Sequence, residues 1–280
     1  MYSLNCKGKL LSWGKPIVMG ILNITPDSFY AGSRIGSEEM LITHAEKMLE
    51  EGASILDLGG LSSRPGALEI SQDEELERVV PAISLLSSRF PNAIISVDSY
   101  RYKVAVAALH TGASIINDIG AGKNEGMAEL AAAFQTPYIC MHMRGNPGNM
   151  QRYTNYDDIT AELLDFFINR KEECIRLGIK DLIIDPGFGF AKTIGQNFLL
   201  LKQLKVLGML GLPVMVGLSR KSTIYKTLNI KPEESLNGTT VMHTLALEQG
   251  AQILRAHDVK EAVETIRLWT SYASAKDVPG

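Results

Sequence analysis

The chain has few of the features that mark secreted, membrane-bound or nucleic-acid-binding proteins. Its three cysteines are far apart in 280 residues, so no disulfide framework is expected. We expect the chain to be located in a reducing cytoplasm. It has no apolar run of about eighteen residues and no basic start before an apolar segment, so neither a membrane span nor a signal peptide is expected. A net charge of −3 is too small to draw the chain to nucleic acid or to a membrane surface.

Several common ligand-binding patterns are also missing. No Gly-x-Gly-x-x-Gly follows the first predicted strand, and there is no Gly-Lys-Ser/Thr phosphate loop. No Ser, His and Asp set with a nucleophile elbow is present, which argues against acyl transfer. Cys140 and His142 are two positions apart, but no second pair with metal-ligand spacing accompanies them, so a zinc site is not expected.

What the chain does have is an alternation of short apolar segments with segments of helical spacing. The predicted strands cover 16–23, 54–60, 93–99, 114–118, 137–143, 182–185, 213–219 and 253–258. Ser37 and Ser71 each precede acidic residues and are predicted to cap the helices that follow. Eight strand–helix units with no break in composition favour one domain, 1–280, closed into a (β/α)8 TIM barrel. An open doubly wound sheet is the alternative.

Polar side chains recur where the predicted strands end. They are Asn23, Asp57, Asp98, Asn117, Asp118, His142, Arg144, Asp185, Ser219, Arg220, Lys221, Ser222, Arg255, His257 and Asp258, with loop 62–64. Active sites of barrels lie at the carboxyl ends of the strands, so we expect most of these groups to meet at one end. Asp258 taken alone most simply caps the last helix.

The residue types indicate what this end could bind. Asp98, Asn117, Asp185 and Lys221 suit the edge of a flat heterocycle, because a carboxylate can accept two N–H bonds side by side.

The cationic and donor groups suggest a second ligand. Arg64, Arg255 and His257 suit a phosphate group, and Asn23 offers an oxygen that Mg²⁺ accepts beside substrate phosphates. Phe190 could pack its loop or present a ring face to an aromatic substrate.

At these positions the chain resembles the dihydropteroate synthase family, the sulfonamide target of folate synthesis. The matching motifs are 19–29, 57–67, 96–99, 116–118, 185–190, 217–222 and 255–258, which together extend over nearly the whole chain. The resemblance implies a pterin-binding (β/α)8 barrel that joins hydroxymethyl-dihydropterin pyrophosphate to para-aminobenzoate. The products are dihydropteroate and pyrophosphate, the cofactor is Mg²⁺, and members are usually homodimers.

The resemblance also implies a role for each matching residue. Those expected to hold the pterin are Asp98, Asn117, Asp185 and Lys221. Those expected to hold pyrophosphate and metal are Asn23, Arg64, Arg255 and His257, with Asn23 as the metal ligand. Those expected to border para-aminobenzoate are Ser63, Pro65, Phe190, Lys221 and Ser222. Asp57 and Ser219 complete the substrate-binding set, and the catalytic set is Asp98, Asp185, Lys221, Arg255 and His257.

The family's chemistry implies that pyrophosphate leaves first and that the arylamine then attacks a cationic pterin methylene. An anionic Asp98 or Asp185 near the ring would stabilise that cation. Arg255→Ala is therefore expected to weaken pyrophosphate binding and turnover while changing thermal stability little. A salt-bridge role for Arg255 would predict the reverse.

Three departures from the family pattern concern the first loops. Leu61 replaces a residue that is often polar, Ser63 replaces a usual Thr, and 30–33 lacks an Asp-Gly-Gly-like run. A hydroxyl remains at 63, so we expect activity. The other readings are a pterin-dependent methyltransferase that serves a corrinoid protein, and a silent paralogue that only binds pterin. Turnover of para-aminobenzoate separates the three.

Overall fold

In the structure, a computed structural model, the described residues form ten strands in two sheets. It describes residues 1–24, 34–61, 70–120, 122–123 and 125–276, with side chains omitted for 34–37. The strands are β1 (Tyr2–Cys6), β2 (Lys9–Trp13), β3 (Ile17–Asn23), β4 (Ile55–Gly59), β5 (Ile95–Asp98), β6 (Ile115–Asp118), β7 (Tyr138–Met141), β8 (Leu182–Asp185), β9 (Met215–Val216) and β10 (Ile253–Ala256).

The helices surround the larger sheet. They are α1 (Arg34–Glu50), α2 (Gln72–Arg89), α3 (Tyr102–Thr111), α4 (Met127–Phe134), α5 (Ile159–Leu177), α6 (Ile194–Lys202), α7 (Ser222–Leu228), α8 (Leu236–Glu248) and α9 (Val259–Ala273). Short 3-10 helices cover Met150–Arg152, Leu204–Leu210 and Pro232–Glu234. Within the described part of the chain, no helix has the length and apolar character needed to cross a membrane.

The larger sheet closes into a barrel. Its eight strands are parallel in the order β8-β7-β6-β5-β4-β3-β10-β9. A parallel bridge between Ile184 and Val214 joins the two outer strands, and the amide of Ile184 donates to the carbonyl of Pro213 at 3.1 Å. The predicted (β/α)8 barrel is confirmed, and the open sheet is excluded by this closure.

The strands form where branched apolar residues can be buried on both faces of the sheet. All residues of β4, β6, β7 and β8 are buried, and the outward ones pack under the helices. Because buried parallel strands have covered faces on both sides, such continuous apolar runs are their usual sequence. The strands therefore place their polar last residues at a common end.

The N-terminal hairpin β1–β2 closes the opposite end of the barrel. Leu4, Cys6 and Trp13 pack on an inner layer with one residue from or beside each barrel strand, for example Ile139 and Ile253. The hairpin was missed at the sequence level.

Polar contacts fasten the same hairpin to the rim. Lys9 Nζ donates to the carbonyl of Ala93 at 3.0 Å, and Lys7 Nζ donates to the carbonyl of Leu109 at 2.6 Å. The amide of Asn5 donates to Asp181 Oδ2 at 2.9 Å. This end is therefore filled with side chains, which leaves the other end for ligands.

The two predicted helix caps have opposite outcomes. Ser71 caps α2, accepting from the amide of Glu74 at 3.1 Å, so this prediction is confirmed. The prediction for Ser37 is wrong, because α1 begins three residues earlier, at Arg34. A Ser before two acids is a weak prior for a helix start.

Candidate active site

A narrow pocket opens at the carboxyl ends of the strands. Its lining residues are Asp98, Asn117, Ile119, Met141, Asp185, Phe188, Phe190, Gly217, Lys221 and Arg255. All four residues predicted for the heterocycle are among them, together with Arg255 and Phe190.

Asp185 ends β8 and points one carboxylate oxygen at its own loop. The amide of Gly187 donates to Asp185 Oδ1 at 2.8 Å, within a loop where Gly187 has φ 70°. A Cβ at Gly187 would lie 2.1 Å from the carbonyl oxygen of His142, so only glycine fits there. The second oxygen, Oδ2, makes no hydrogen bond to any described residue. Burial raises the pKa of Asp185, and the Gly187 bond and Lys221 oppose that effect.

Arg255 extends from β10 across the barrel and binds two carboxylates. Its Nε donates to Asp57 Oδ2 at 2.6 Å, and its Nη2 donates to Asp98 Oδ2. Asn117 Nδ2 also donates to Asp57 Oδ2, at 3.0 Å. The network fixes the Asn117 carboxamide, so that its oxygen remains as the acceptor for a ligand.

Asp98 is a carboxyl group that ionises near neutral pH. Burial raises its pKa to about 7, the nearby Arg255 lowers it, and Asp57 raises it further. A group with such a pKa can change its charge when a ligand arrives, which is common in active sites.

Lys221 and Phe190 form a stacked pair at the pocket wall. The Lys221 ammonium lies 4.2 Å from the centroid of the Phe190 ring, a cation–π contact worth up to about 2 kcal/mol when desolvated. Burial and the nearby Arg255 lower the pKa of Lys221 to about 8. The same ammonium is attracted to Asp98 and Asp185, so it balances part of their charge.

Ser219 and His257 pair on the other side of the barrel mouth, beyond β9 and β10. The amide of His257 donates to Ser219 Oγ at 3.2 Å, and that hydroxyl lies 3.1 Å from His257 Nδ1. Burial and Arg255 lower the pKa of His257 to about 4, so the ring is neutral at pH 7. If the Ser219 hydroxyl donates to Nδ1, the neutral ring carries its proton on Nε2 and offers a single N–H donor.

Asn23 ends β3, the strand beside β10, and is half-buried. Its side chain makes no hydrogen bond to any other described residue, so the carboxamide oxygen is available. No group of three or more His, Cys, Asp or Glu suited to a metal ion occurs in the described portion. A Mg²⁺ ion bound by Asn23 would also take oxygens of the substrate and water, which is how Mg²⁺ commonly binds.

The structure changes the place of Asp57. Its side chain is fully buried, and it does not line the pocket. In the ladder it pairs with Ser96, two residues before the Gly59–Asp98 pair, so it lies deeper in the barrel. In the structure its carboxylate holds Arg255 and Asn117, and direct contact with the substrate stays a prediction.

The remaining predicted residues have separate outcomes. Ser222 begins α7 directly after Lys221. Ser63, Arg64 and Pro65 lie outside the described residues. The predicted cap at Asp258 is wrong: its side chain makes no cap bond to α9, and Arg220 binds both of its oxygens, at 2.9 and 2.7 Å.

Two polar strand-end residues serve the scaffold. Asp118 accepts the Tyr138 hydroxyl at 2.6 Å and the amides of Gly120 and Gly122, so its acceptors are used internally. His142 lies behind the Asp185 loop and contacts Lys192. No role was predicted for Lys192, although a lysine in an otherwise apolar and Gly-rich loop is a signal that could have identified it.

Comparisons with known proteins agree with this geometry. The family model described as pterin binding enzyme matches residues 19–257. Dihydropteroate synthase of Escherichia coli strain K12 is 44% identical, covering 98% of this chain and 98% of the relative.

Two solved structures are similar over nearly their full length. Yersinia pestis dihydropteroate synthase with a sulfonamide drug complex has a TM-score of 0.90 and 41% identity, covering 98% of this chain and 100% of that one. Xanthomonas albilineans dihydropteroate synthase with 4-aminobenzoic acid has a TM-score of 0.90 and 38% identity, covering 98% and 99%.

Proposed function

The chain belongs to the dihydropteroate synthase family, and we propose that it joins hydroxymethyl-dihydropterin pyrophosphate to para-aminobenzoate at this barrel mouth. The products are dihydropteroate and pyrophosphate. The observation that carries the assignment is the pocket in which Asp98, Asn117, Asp185 and Lys221 converge.

The pterin ring lies in this pocket. Asp185 Oδ2 accepts N–H bonds from the aminopyrimidine edge, since Oδ1 is already bound by Gly187. The carboxamide oxygen of Asn117 accepts another, because its nitrogen is held by Asp57. Lys221 donates to a ring acceptor. The pocket thus offers acceptors and a donor in fixed positions before the substrate arrives.

The charges favour a cation at the pterin methylene. Three carboxylates, Asp57, Asp98 and Asp185, face two cationic side chains, Arg255 and Lys221. As the bond to pyrophosphate breaks, positive charge develops on the methylene carbon, and an anionic Asp98 or Asp185 stabilises it. The para-aminobenzoate nitrogen then attacks that carbon, forms the new C–N bond and releases its proton.

The departing pyrophosphate lies toward Asn23 and His257, on neighbouring strands. His257 provides an uncharged N–H donor, and Arg64 adds a cation. Arg255 acts from beneath: its Nε and Nη2 are engaged by Asp57 and Asp98, so only its remaining donors can reach phosphate. Mg²⁺, when bound, would neutralise the leaving group's charge, with Asn23 as its protein ligand.

Para-aminobenzoate lies outside the pterin, between Phe190 and the start of α7. The Phe190 ring can contact the substrate ring, and Lys221 and Ser222 lie at the beginning of α7. Ser63 and Pro65 complete this subsite. The carboxylate of para-aminobenzoate is attracted by the Lys221 ammonium.

A homodimer buries the apolar face of α6, α7 and α8, which contact one another. The exposed side chains are Ile194, Phe198, Leu199, Leu228, Val241 and Leu245, from 37% to 52% accessible. Apolar residues gathered on adjacent helices are typical of an interface. Analytical ultracentrifugation of Leu245→Lys should give monomers if this face is used.

Asp185→Asn tests the pterin assignment. The amide places an N–H where the pterin donates, so affinity for 6-hydroxymethylpterin should fall by about 2–4 kcal/mol in calorimetry. Asp157→Asn, on an exposed side chain, is the matched control and should bind like the wild type. Circular dichroism checks the fold of both. Wild-type affinity in Asp185→Asn would place the pterin elsewhere.

Turnover of para-aminobenzoate tests the reaction itself. Release of pyrophosphate that depends on para-aminobenzoate supports the synthase. Pterin binding without such turnover would support a silent paralogue, and transfer of a methyl group to a corrinoid protein would support a methyltransferase.

A further inference from the structure

A buried ammonium group lies directly behind the loop that carries Asp185. The Lys192 side chain is 4% exposed, and its Nζ donates to the carbonyls of Gly187 at 3.1 Å and Phe190 at 3.0 Å. It lies 3.2 Å from His142 Nδ1. Each of the three ammonium protons thus has an acceptor.

None of these acceptors is a carboxylate, and Lys192 forms no ion pair within the described residues. A buried charge without a direct counterion is costly, so its presence calls for a physical reason. The charged groups that face it from the neighbouring elements are Asp185, Glu162, Arg144 and Lys221. Asp185 is the largest favourable influence among them.

His142 is suited to accept from this ammonium. Burial and the nearby Lys192 lower the pKa of His142 to about 2, so the ring is neutral and Nδ1 can accept a hydrogen bond from the ammonium. Glu162 Oε1 lies 3.9 Å from the other ring nitrogen, and Phe166 packs edge-on at 4.9 Å. The imidazole is therefore held in place.

A second, uncharged side chain holds the same loop. Asn197 Oδ1, on α6, accepts from the amide of Gly189 at 2.8 Å, and this side chain is also buried. Lys192 holds carbonyls and Asn197 holds an amide of the same turn. The two residues therefore differ in charge while sharing a place in the fold.

We propose that Lys192 is a positioning residue for the pterin site: its ammonium holds the Gly187–Phe190 turn from behind and keeps Asp185 ionised for the pterin. The inference rests on the proposed function, in which the Asp185 carboxylate binds the pterin. No direct contact between Lys192 and the substrate is involved.

The electrostatics act in both directions. Burial raises the pKa of Asp185, and Lys192 is among the cations that lower it, with Lys221 and Arg255. Burial lowers the pKa of Lys192 to about 7, and Asp185 raises it. Below pH 7 the ammonium is charged, which is where Asp185 needs its support. Removing the charge should move the loss of pterin binding to higher pH.

The experiment measures the affinity of 6-hydroxymethylpterin by calorimetry between pH 5 and 7.5. The acid limb is the pH range in which affinity is lost as the pH falls and Asp185 becomes protonated. In Lys192→Gln, which keeps one donor and loses the charge, this limb should move to higher pH by about one unit. At pH values below the limb the affinity then falls about tenfold, and the loss becomes smaller as the pH rises above it. Lys192→Arg, which keeps the charge, should retain the wild-type acid limb.

Asn197→Ala is the matched control, because it removes support from the same turn without changing charge. It should weaken binding equally at every pH. If Lys192→Gln behaves like Asn197→Ala, with no movement of the acid limb, the electrostatic role is refuted. If Lys192→Gln does not fold, Lys192→Met is the second uncharged variant. If neither folds, the test uses folded Lys192→Arg: a displaced acid limb refutes the proposal, and an unchanged acid limb supports it. Wild-type binding by Asp185→Asn would instead refute the pterin assignment itself.

Discussion

Arg255→Ala removes a side chain that binds both Asp57 and Asp98. The Arg255 side chain is 14% exposed, Asp57 is fully buried and Asp98 is 12% exposed. Removing one member of a buried ion pair costs about 3–5 kcal/mol, because the partner charge is left without compensation. We expect a loss in this range at pH 8.5, in place of the unchanged stability expected from the sequence.

The loss should depend on pH, and its direction follows from Asp98. The pKa of Asp98 is raised to about 7 in the folded protein, so its contribution to stability is full at acid pH and is lost as pH rises through 7. Without Arg255 the pKa of Asp98 rises further. Above pH 7 the free energy of unfolding of the variant therefore falls by about 1.4 kcal/mol per pH unit more than that of the wild type. The stability deficit, meaning the difference in free energy of unfolding between the wild type and Arg255→Ala, should therefore grow by about 2 kcal/mol between pH 5.5 and 8.5.

Urea unfolding at both pH values measures this deficit. Arg220→Ala is the control, since its pair with Asp258 is partly exposed and should cost only about 1 kcal/mol. A loss below 1 kcal/mol for Arg255→Ala at pH 8.5, or a deficit that shrinks as pH rises, would refute the reasoning.

Three further results are expected. Para-aminobenzoate should bind weakly by calorimetry until pyrophosphate and Mg²⁺ are present, because pyrophosphate is expected to bind before it; equal affinity without them would contradict this order. Turnover should fall between pH 8 and 9 as Lys221, with a pKa of about 8, loses its proton, and Lys221→Arg should keep turnover at pH 9 closer to its neutral value; a fall of the same size in both would point to another group. Asn23→Ala should raise the Mg²⁺ concentration needed for pyrophosphate binding, and an unchanged requirement would remove Asn23 from the metal site.

Much of the candidate site was predictable because barrel topology converts sequence order into position. Asp98, Asn117 and Asp185 each follow a buried apolar run, so their convergence follows from parallel strands ending at one edge. The bonds among them were not predictable. Arg255 and Asp57 are 198 positions apart, and only the strand register shows that Asp57 lies two residues before the Gly59–Asp98 pair, deeper in the barrel.

The parts that were missed have weak local signals. The hairpin turns at Lys7 and Gly8, with φ 53° and 90°, and Lys-Gly is a poorer turn signal than Asn-Gly. The seventh predicted strand, 213–219, is reduced to Met215–Val216. Lys192 resembles any solvated loop lysine until its burial is known.

The hairpin that fills the bottom of the barrel has a consequence for folding kinetics. Its apolar side chains rest on a layer built from all eight barrel strands, so it can dock only after the last strand has joined. Contacts that form after the transition state slow unfolding without accelerating folding. The first segment of the chain is therefore expected to dock last and to slow unfolding once it is docked. Weakening it, as in Trp13→Ala, should shorten the lifetime of the folded enzyme while refolding proceeds at the wild-type rate.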